Sequence, residues 1–317
     1  MTRIFASILS LGMLVLDASV VSGQDYPNKP VHIITLAAGS TNDFIARLIA
    51  PGLASGLGQP VIIDNRSVII SLAPIVINAP PDGYTLLSAG SPIWQLPLLQ
   101  KAPYDPLKDL APIIMTARSL AVLVVHPSLP VHSVKELIAL AKARPGVFNY
   151  ASGGTGGSGH LTGELFKAMA GVDIVHVPYN GGSAAIVDLI VGQVQMTFDS
   201  PSTVMPLVNA GKLRALAVTS AEPSELVPGL PTVAASLPGF ESVTDFGVFA
   251  SAKTSNAIVR RLNQEFDKVL SATGMKEKFL SRGIEITRSS PEQFAATIKS
   301  DFSVMGTVIK NAGIQAE

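Results

Sequence analysis

Runs of apolar residues separated by small polar turns recur along the whole chain. Residues 29–36 (KPVHIITL) are apolar almost throughout, as in a strand covered on both faces. After Ala37, Ala38, Gly39, Ser40, Thr41, Asn42 and Asp43 the rhythm changes, and Phe44, Ile45, Leu48, Ile49, Leu53 and Leu57 recur at helical spacing. Strand, small polar turn and helix form the unit in which α/β proteins hold ligands, at the carboxyl end of the strand. Asn42 or Asp43 can cap this helix, and Ser40 and Thr41 offer hydroxyls beside its first N–H groups. The same reading predicts a strand at 61–63 closed by Asp64, Asn65 and Arg66. It predicts another at 84–88, after the turn Pro80-Pro81-Asp82-Gly83 and before Ala89-Gly90-Ser91, and a third at 121–125. A helix begins at Ser133, with Glu136 at capping-box spacing, and stops near Ala143 ahead of Pro145 and Gly146.

The second half repeats this logic. Strands are predicted at 148–151, 174–177, 195–198, 215–219 and 246–250. Helices are predicted at 161–169, 183–191, after Pro201, and at 256–272, 275–280 and 291–310. Strands alternating with helices on this scale predict parallel sheets with helices on both faces. A length of 317 residues is more than one core usually serves, so two domains are expected.

One stretch departs from the rhythm. Ser152, Gly153, Gly154, Thr155, Gly156, Gly157, Ser158 and Gly159 join a strand to a helix with five glycines, three hydroxyls and nothing bulky. Glycine opens backbone angles that let such a loop turn its N–H groups around a small anion, with the positive end of the following helix behind it. A flexible surface loop is the plainer reading. The second turn of similar make-up, after residue 36, tips the balance towards anion binding.

Composition adds an address and removes several partners. A basic start (Met1-Thr2-Arg3), an apolar run at 4–16 and the small exit Val21-Ser22-Gly23 make residues 1–23 a secretory signal peptide in expectation, cleaved near Gly23 and Gln24. The apolar run is too short to span a bilayer, and later segments lack about 20 uninterrupted apolar residues. With no cysteine there is no structural disulfide and no lipid-modified cysteine, so the expected location is the periplasm, free of an anchor. Lys and Arg total 23, as do Asp and Glu. That balance argues against nucleic acid or an anionic membrane as the main partner.

Catalytic and metal chemistries fit poorly. Ser158, His160 and Asp199 are acyl-transfer types, but Gly157-Ser158-Gly159 lacks the flanks of a nucleophile elbow. A hydroxyl two residues from its base at a helix start also has poor geometry, so a capping serine and a helix-surface histidine are the better reading. The five histidines, His32, His126, His132, His160 and His176, stand singly, and no metal is expected. No phosphate-binding glycine motif occurs in the right setting, so no cofactor is expected. Asp199, at a strand end, is either an acceptor for a ligand's protonated or amino group or a turn residue before Pro201. Tyr179 either reaches a cleft or packs, and Trp94 either lines a pocket or anchors a domain edge.

Many ordered pieces together resemble the substrate-binding proteins of tripartite tricarboxylate transporters, the Bordetella uptake gene (Bug) family. They are YPNKP at 26–30, DFIARL at 43–48, LGQPV at 57–61, PDGYTL at 81–86, YDPLKD at 104–109, SVKEL at 133–137 and NYAS at 149–152. They continue with His160-Leu161, VPY at 177–179, GKLRALA at 211–217 and LPTV at 230–233. The resemblance implies a two-lobed periplasmic-binding-protein clamshell of type II-like α/β fold, each lobe a mainly parallel sheet flanked by helices. Lobe 1 is then 24–124 plus 245–317 and lobe 2 is 125–244, with crossings near Val124 and Thr244. It implies a ligand carboxylate held by amides and hydroxyls of Ala38, Gly39, Ser40, Thr41 and Asn42. The other end of the ligand would meet Ser152, Gly154, Thr155, Gly156 and Ser158, with Ser88, Ser91, Tyr179 and Asp199 adding contacts.

Two departures from the family pattern stand out. The first turn carries one glycine where two are usual, with Ser40 beside it. The usual glycine-rich turn after Asn65-Arg66 is replaced by apolar SVIISLAP at 67–74, a different cleft wall or a partner surface. The expected function is capture of a small di-, tri- or aromatic carboxylate by a monomer, without chemistry, for delivery to the membrane subunits of a tripartite transporter. A periplasmic sensor working through a membrane receptor requires the same clamshell and stands as the alternative.

Overall fold

The computed structural model describes residues 26–179 and 182–312. The expected signal peptide lies outside the described residues. The chain begins with β1 (Val31–Leu36), α1 (Thr41–Leu57), β2 (Val61–Arg66), α2 (Leu72–Ile77), β3 (Thr85–Gly90), α3 (Pro92–Leu99) and β4 (Leu110–Leu120). It continues through β5 (Val122–Val125), α4 (Val134–Ala143), β6 (Asn149–Ser152), α5 (Ser158–Ala170), β7 (Val175–Pro178), α6 (Gly182–Ile190), β8 (Met196–Asp199), α7 (Pro201–Asn209) and β9 (Arg214–Val218). It returns with β10 (Val243–Ser251), α8 (Asn256–Leu270), α9 (Met275–Leu280), β11 (Glu285–Ile286) and α10 (Pro291–Ala312).

Two sheets result, in the orders β11-β4-β10-β3-β1-β2 and β7-β6-β8-β5-β9. Strands β1, β2 and β3 are mutually parallel where they pair, as are β6, β7 and β8. The strands that carry the chain between sheets, β4, β5 and β10, pair antiparallel with their neighbours. Period-two alternation sends Val31 and Ile33 of β1 to one core and Ile34 to another. In β5, Leu123 and Val125 face one side while Val122 and Val124 face the other. Each sheet is therefore apolar on both faces and sandwiched between helices, which gives two lobes.

The chain crosses between sheets at Ala121, because β4 pairs in the first sheet and all of β5 within the second. Thr219, fully buried, joins the crossing segments: its N–H donates to Ala121 O, its hydroxyl accepts from Ala121 N–H, and its carbonyl accepts from Ser242 N–H. Strand β2 runs through Asp64 and Asn65 to Arg66, since these residues pair with Ile34, Thr35 and Leu36 instead of closing the strand. Helix α10 belongs to neither lobe alone. Phe294 and Ile298 enter the core of the first lobe, whereas Met305, Val308 and Ile309 enter that of the second beside Leu161 and Leu165 of α5. The apolar departure at 67–74 forms a short 3-10 turn (Ile69–Ser71) and the start of α2, with Leu72 and Ala73 fully buried.

Two glycines are dictated by neighbouring rings. A side chain at Gly247 of β10 would meet Phe294 at 2.2 Å and Ile114 O at 2.8 Å, and one at Gly163 of α5 would meet the Tyr150 ring at 2.2 Å. Both helices lie against their sheets only because these positions are bare.

Candidate functional site at the interlobe cleft

The carboxyl ends of β3, β6 and β8 meet at the cavity between the lobes, and β1 runs parallel beside β3. The turn after β1 is built by a carboxylate. Asp43 Oδ2 accepts from Gly39 N–H (2.9 Å), and its Oδ1 accepts from Arg47 Nε and Asn65 Nδ2 (both 2.8 Å). Burial alone would raise the Asp43 carboxyl, but hydrogen bonds from Asn65, Gly39 and Arg47, with the Arg47 charge, hold it below the usual range. Ser40 is the N-cap of α1, its hydroxyl accepting from Asp43 N–H. Ala38, Gly39 and Thr41 are exposed on this turn, and Asn42 is buried with its Oδ1 accepting no hydrogen bond from the protein.

The glycine-rich loop opens α5. Gly157 is its N-cap and supplies no side-chain cap, so the N–H groups of the first turn are left for another acceptor. Ser152 Oγ accepts from Gly154 N–H and contacts Gly154 O, bracing the loop from β6. Thr155 and Ser158 are exposed, and Gly156 has a positive φ of 77°.

A cavity of about 660 Å³ lies between the lobes. From the expected residues its wall takes Ser91, Ser152, Ser158 and Asp199. Outside this wall lie the turn of Ala38, Gly39, Ser40, Thr41 and Asn42 and Ser88 in the first lobe, and Gly154, Thr155, Gly156 and Tyr179 in the second. Ser88 is inside β3, where its carbonyl accepts from the Thr35 hydroxyl. Tyr179 donates to Asp188 Oδ2 at 2.7 Å, and burial, aided by that carboxylate, pushes its hydroxyl up to about 12.

The wall also holds residues that sequence reading did not single out: Gln95, Arg118, Glu241, Asp245 and Asp301. Arg118 stands opposite Asp245 in the β4–β10 register and grips it with Nε at 2.7 Å and an Nη at 3.2 Å, while its other Nη reaches Glu241 at 2.9 Å. Trp94 anchors α10, donating from Nε1 to Asp301 Oδ2 at 2.6 Å beside Gln95 at 2.9 Å. Burial lifts the Asp301 carboxyl above its ordinary range against those two bonds. Burial likewise raises Asp199, opposed by hydrogen bonds from Ser200 N–H and the Thr203 and Ser200 hydroxyls. The one hint in the sequence was a lone charged residue, Arg118, in the mostly apolar segment at 110–125, and its acidic partners lie more than a hundred residues away.

Ser158 and His160 do not form a nucleophile–base pair, because His160 Nδ1 accepts from Gly156 N–H at 2.9 Å. Among the described residues no group of three or more His, Cys, Asp or Glu is placed to hold a metal. No described helix is long and apolar enough to cross a membrane.

The family model described as tripartite tricarboxylate transporter family receptor matches residues 45–314. The chain belongs to this family. Protein BugT of Bordetella pertussis is 33% identical over 323 residues, covering 99% of this chain and 98% of BugT. Among solved structures, R. palustris Rpa4515 with adipate is 36% identical with a TM-score of 0.73, covering 92% of this chain and 99% of that one. MatC (Rpa3494) from Rhodopseudomonas palustris with bound malate is 27% identical with a TM-score of 0.69, covering 90% and 100%. The TctC receptors are solute-binding proteins.

Proposed function

We propose that the protein captures a small organic carboxylate in the interlobe cleft of a periplasmic monomer and delivers it to the membrane subunits of a tripartite transporter. The observation that carries this reading is the uncapped amino end of α5, which opens into the cavity at Ser158 and Gly159. Backbone N–H groups and a helix dipole hold a carboxylate without any cationic side chain. The cationic side chain in the described wall, Arg118, is already committed to Asp245 and Glu241. The first turn, with Ala38, Gly39 and Thr41 exposed, contributes the opposing contacts from its N–H groups and hydroxyls once the lobes approach. Closure excludes water, so that these bonds gain strength they lack in solution. Adipate and malate, bound by the two relatives above, belong to the di- and tricarboxylate class proposed here, with aromatic carboxylates as the other class.

The test is thermal unfolding of the chain against aliphatic, hydroxy- and aromatic carboxylates, adipate and malate included. A ligand at a hundredfold its dissociation constant adds about 2.7 kcal/mol, a shift of roughly 4 °C for a protein of this size. No shift across the panel would remove the binding role. A Ser158→Trp variant is expected to abolish the shift while leaving the ligand-free midpoint within about 2 °C, since Ser158 is exposed and lines the cavity. An unchanged ligand response in that variant would place the carboxylate elsewhere.

A further inference from the structure

Two histidines separated in sequence meet face to face behind the glycine-rich loop. The rings of His160, on the first turn of α5, and His176, on β7, have centroids 3.8 Å apart and planes within 7°. Parallel register sets His176 opposite Tyr150, whose ring lies 4.9 Å away and on the strand face that also carries Ser152. Each imidazole then reaches one end of the loop. His176 Nε2 is 2.7 Å from Ser152 Oγ, which in turn accepts from Gly154 N–H. His160 Nδ1 accepts from Gly156 N–H at 2.9 Å.

We propose that His160 and His176 are positioning residues: as a stacked, uncharged pair they hold the 152–158 loop in its cavity-facing shape, and protonation releases it. The chemistry requires the neutral form. An imidazolium has no acceptor nitrogen, so a charged His160 loses Gly156 N–H, and two charged rings cannot remain 3.8 Å apart. The titratable groups facing the pair are Glu164 and Lys167 from α5, joined to each other at 3.0 Å, and the Tyr150 hydroxyl from β6, which donates to Glu164 at 2.6 Å. Glu164 favours a proton on the pair, but burial and the Lys167 charge oppose it at His160, and burial, the neighbouring ring and Lys167 oppose it at His176. His176 is thereby lowered to about 4. Because the unfolded chain takes up protons near pH 6.5 and the folded pair does not, stability rises with pH between about 4 and 6.5 and falls on acidification through that window. The stacked pair thus sits as a latch under the loop that the proposed function assigns to the ligand, and its significance for binding rests on that assignment.

Hydrogen exchange on the ligand-free chain tests the latch without presuming any ligand. His160→Leu is expected to speed Gly156 exchange at least about 10-fold, while His160→Asn, whose Oδ1 sits near the lost Nδ1, stays within about 3-fold of the parent. Between pH 7 and pH 4, after correction for intrinsic rates, the parent loop should lose protection and a His160→Leu/His176→Phe variant should show no such change. Unchanged Gly156 exchange in His160→Leu, or the same pH response without either histidine, would overturn the proposal. Should His160→Leu fail to fold, the ring proton shifts of the parent chain decide, since both histidines must titrate below pH 6.5 with the loop opening in step. Adipate and malate binding is measured separately, so a loop that responds in a chain that binds neither separates the latch from the carboxylate reading.

Discussion

An Arg118→Met substitution is expected to lower the free energy of unfolding by about 3–5 kcal/mol, the cost of leaving a buried charge without its partner. Asp245 has a side-chain exposure of 7%, and Arg118 supplies both of its carboxylate oxygens with donors. Burial opposes the guanidinium charge, yet the hydrogen bond and charge of Asp245, with Glu241 and Glu285, hold it charged. The pair also bridges β4 and β10, the two strands that leave and re-enter the first lobe at the hinge. Replacing both partners, as Arg118→Met/Asp245→Leu, should recover most of the loss, because no charge is then stranded. Denaturant unfolding at pH 7 measures both variants. A single-variant loss below about 1 kcal/mol would show that water reaches Asp245 and that the hinge does not depend on the pair.

Phe294→Ala should cost about 3–5 kcal/mol, as for a fully buried ring whose surroundings cannot collapse. Phe294 lies 5.0 Å from Phe249 and 6.0 Å from Trp94 between ring centroids, and it fills the space that Gly247 leaves bare. It fixes the start of α10, which carries Asp301 and Met305 into the cavity wall before packing on α5. The variant should therefore weaken carboxylate binding as well as the fold, although Phe294 is not part of the wall. Gly247→Ala tests the same contact from the other side, since the new methyl group would overlap the ring and approach Ile114 O. Full stability in both variants would mean that α10 is held by its second half alone.

Most elements were legible because a local pattern is enough to make them. The apolar run of β1, the helical spacing of α1 and the Ser133 cap of α4, which accepts from Glu136 N–H, all depend on residues within a few positions. Glu136 reaches back to His132 N–H and not to that of Ser133, a difference of one residue within the same device. The long strand β4 escaped notice because Thr116, Arg118 and Ser119 interrupt its apolar pattern at the site itself. Helix α3, with Pro97 inside it, lacks the spacing that marks an amphipathic helix.

By itself the sequence determined most strands and helices and the two small-residue turns, because alternation, caps and glycine placement act over short range, and its resemblance to the family implied the two-lobed fold. It also placed Ser91 just past a strand of one sheet and Ser152 at the end of a strand of the other. The tertiary structure alone decided which of those groups share a cavity, that Arg118 is spent on Asp245, and that His160 stacks on His176. It alone placed α10 across both lobes. Those facts depend on contacts between residues 16 to more than 200 positions apart, and a charge or a ring in sequence carries no mark of the partner that folding will set against it.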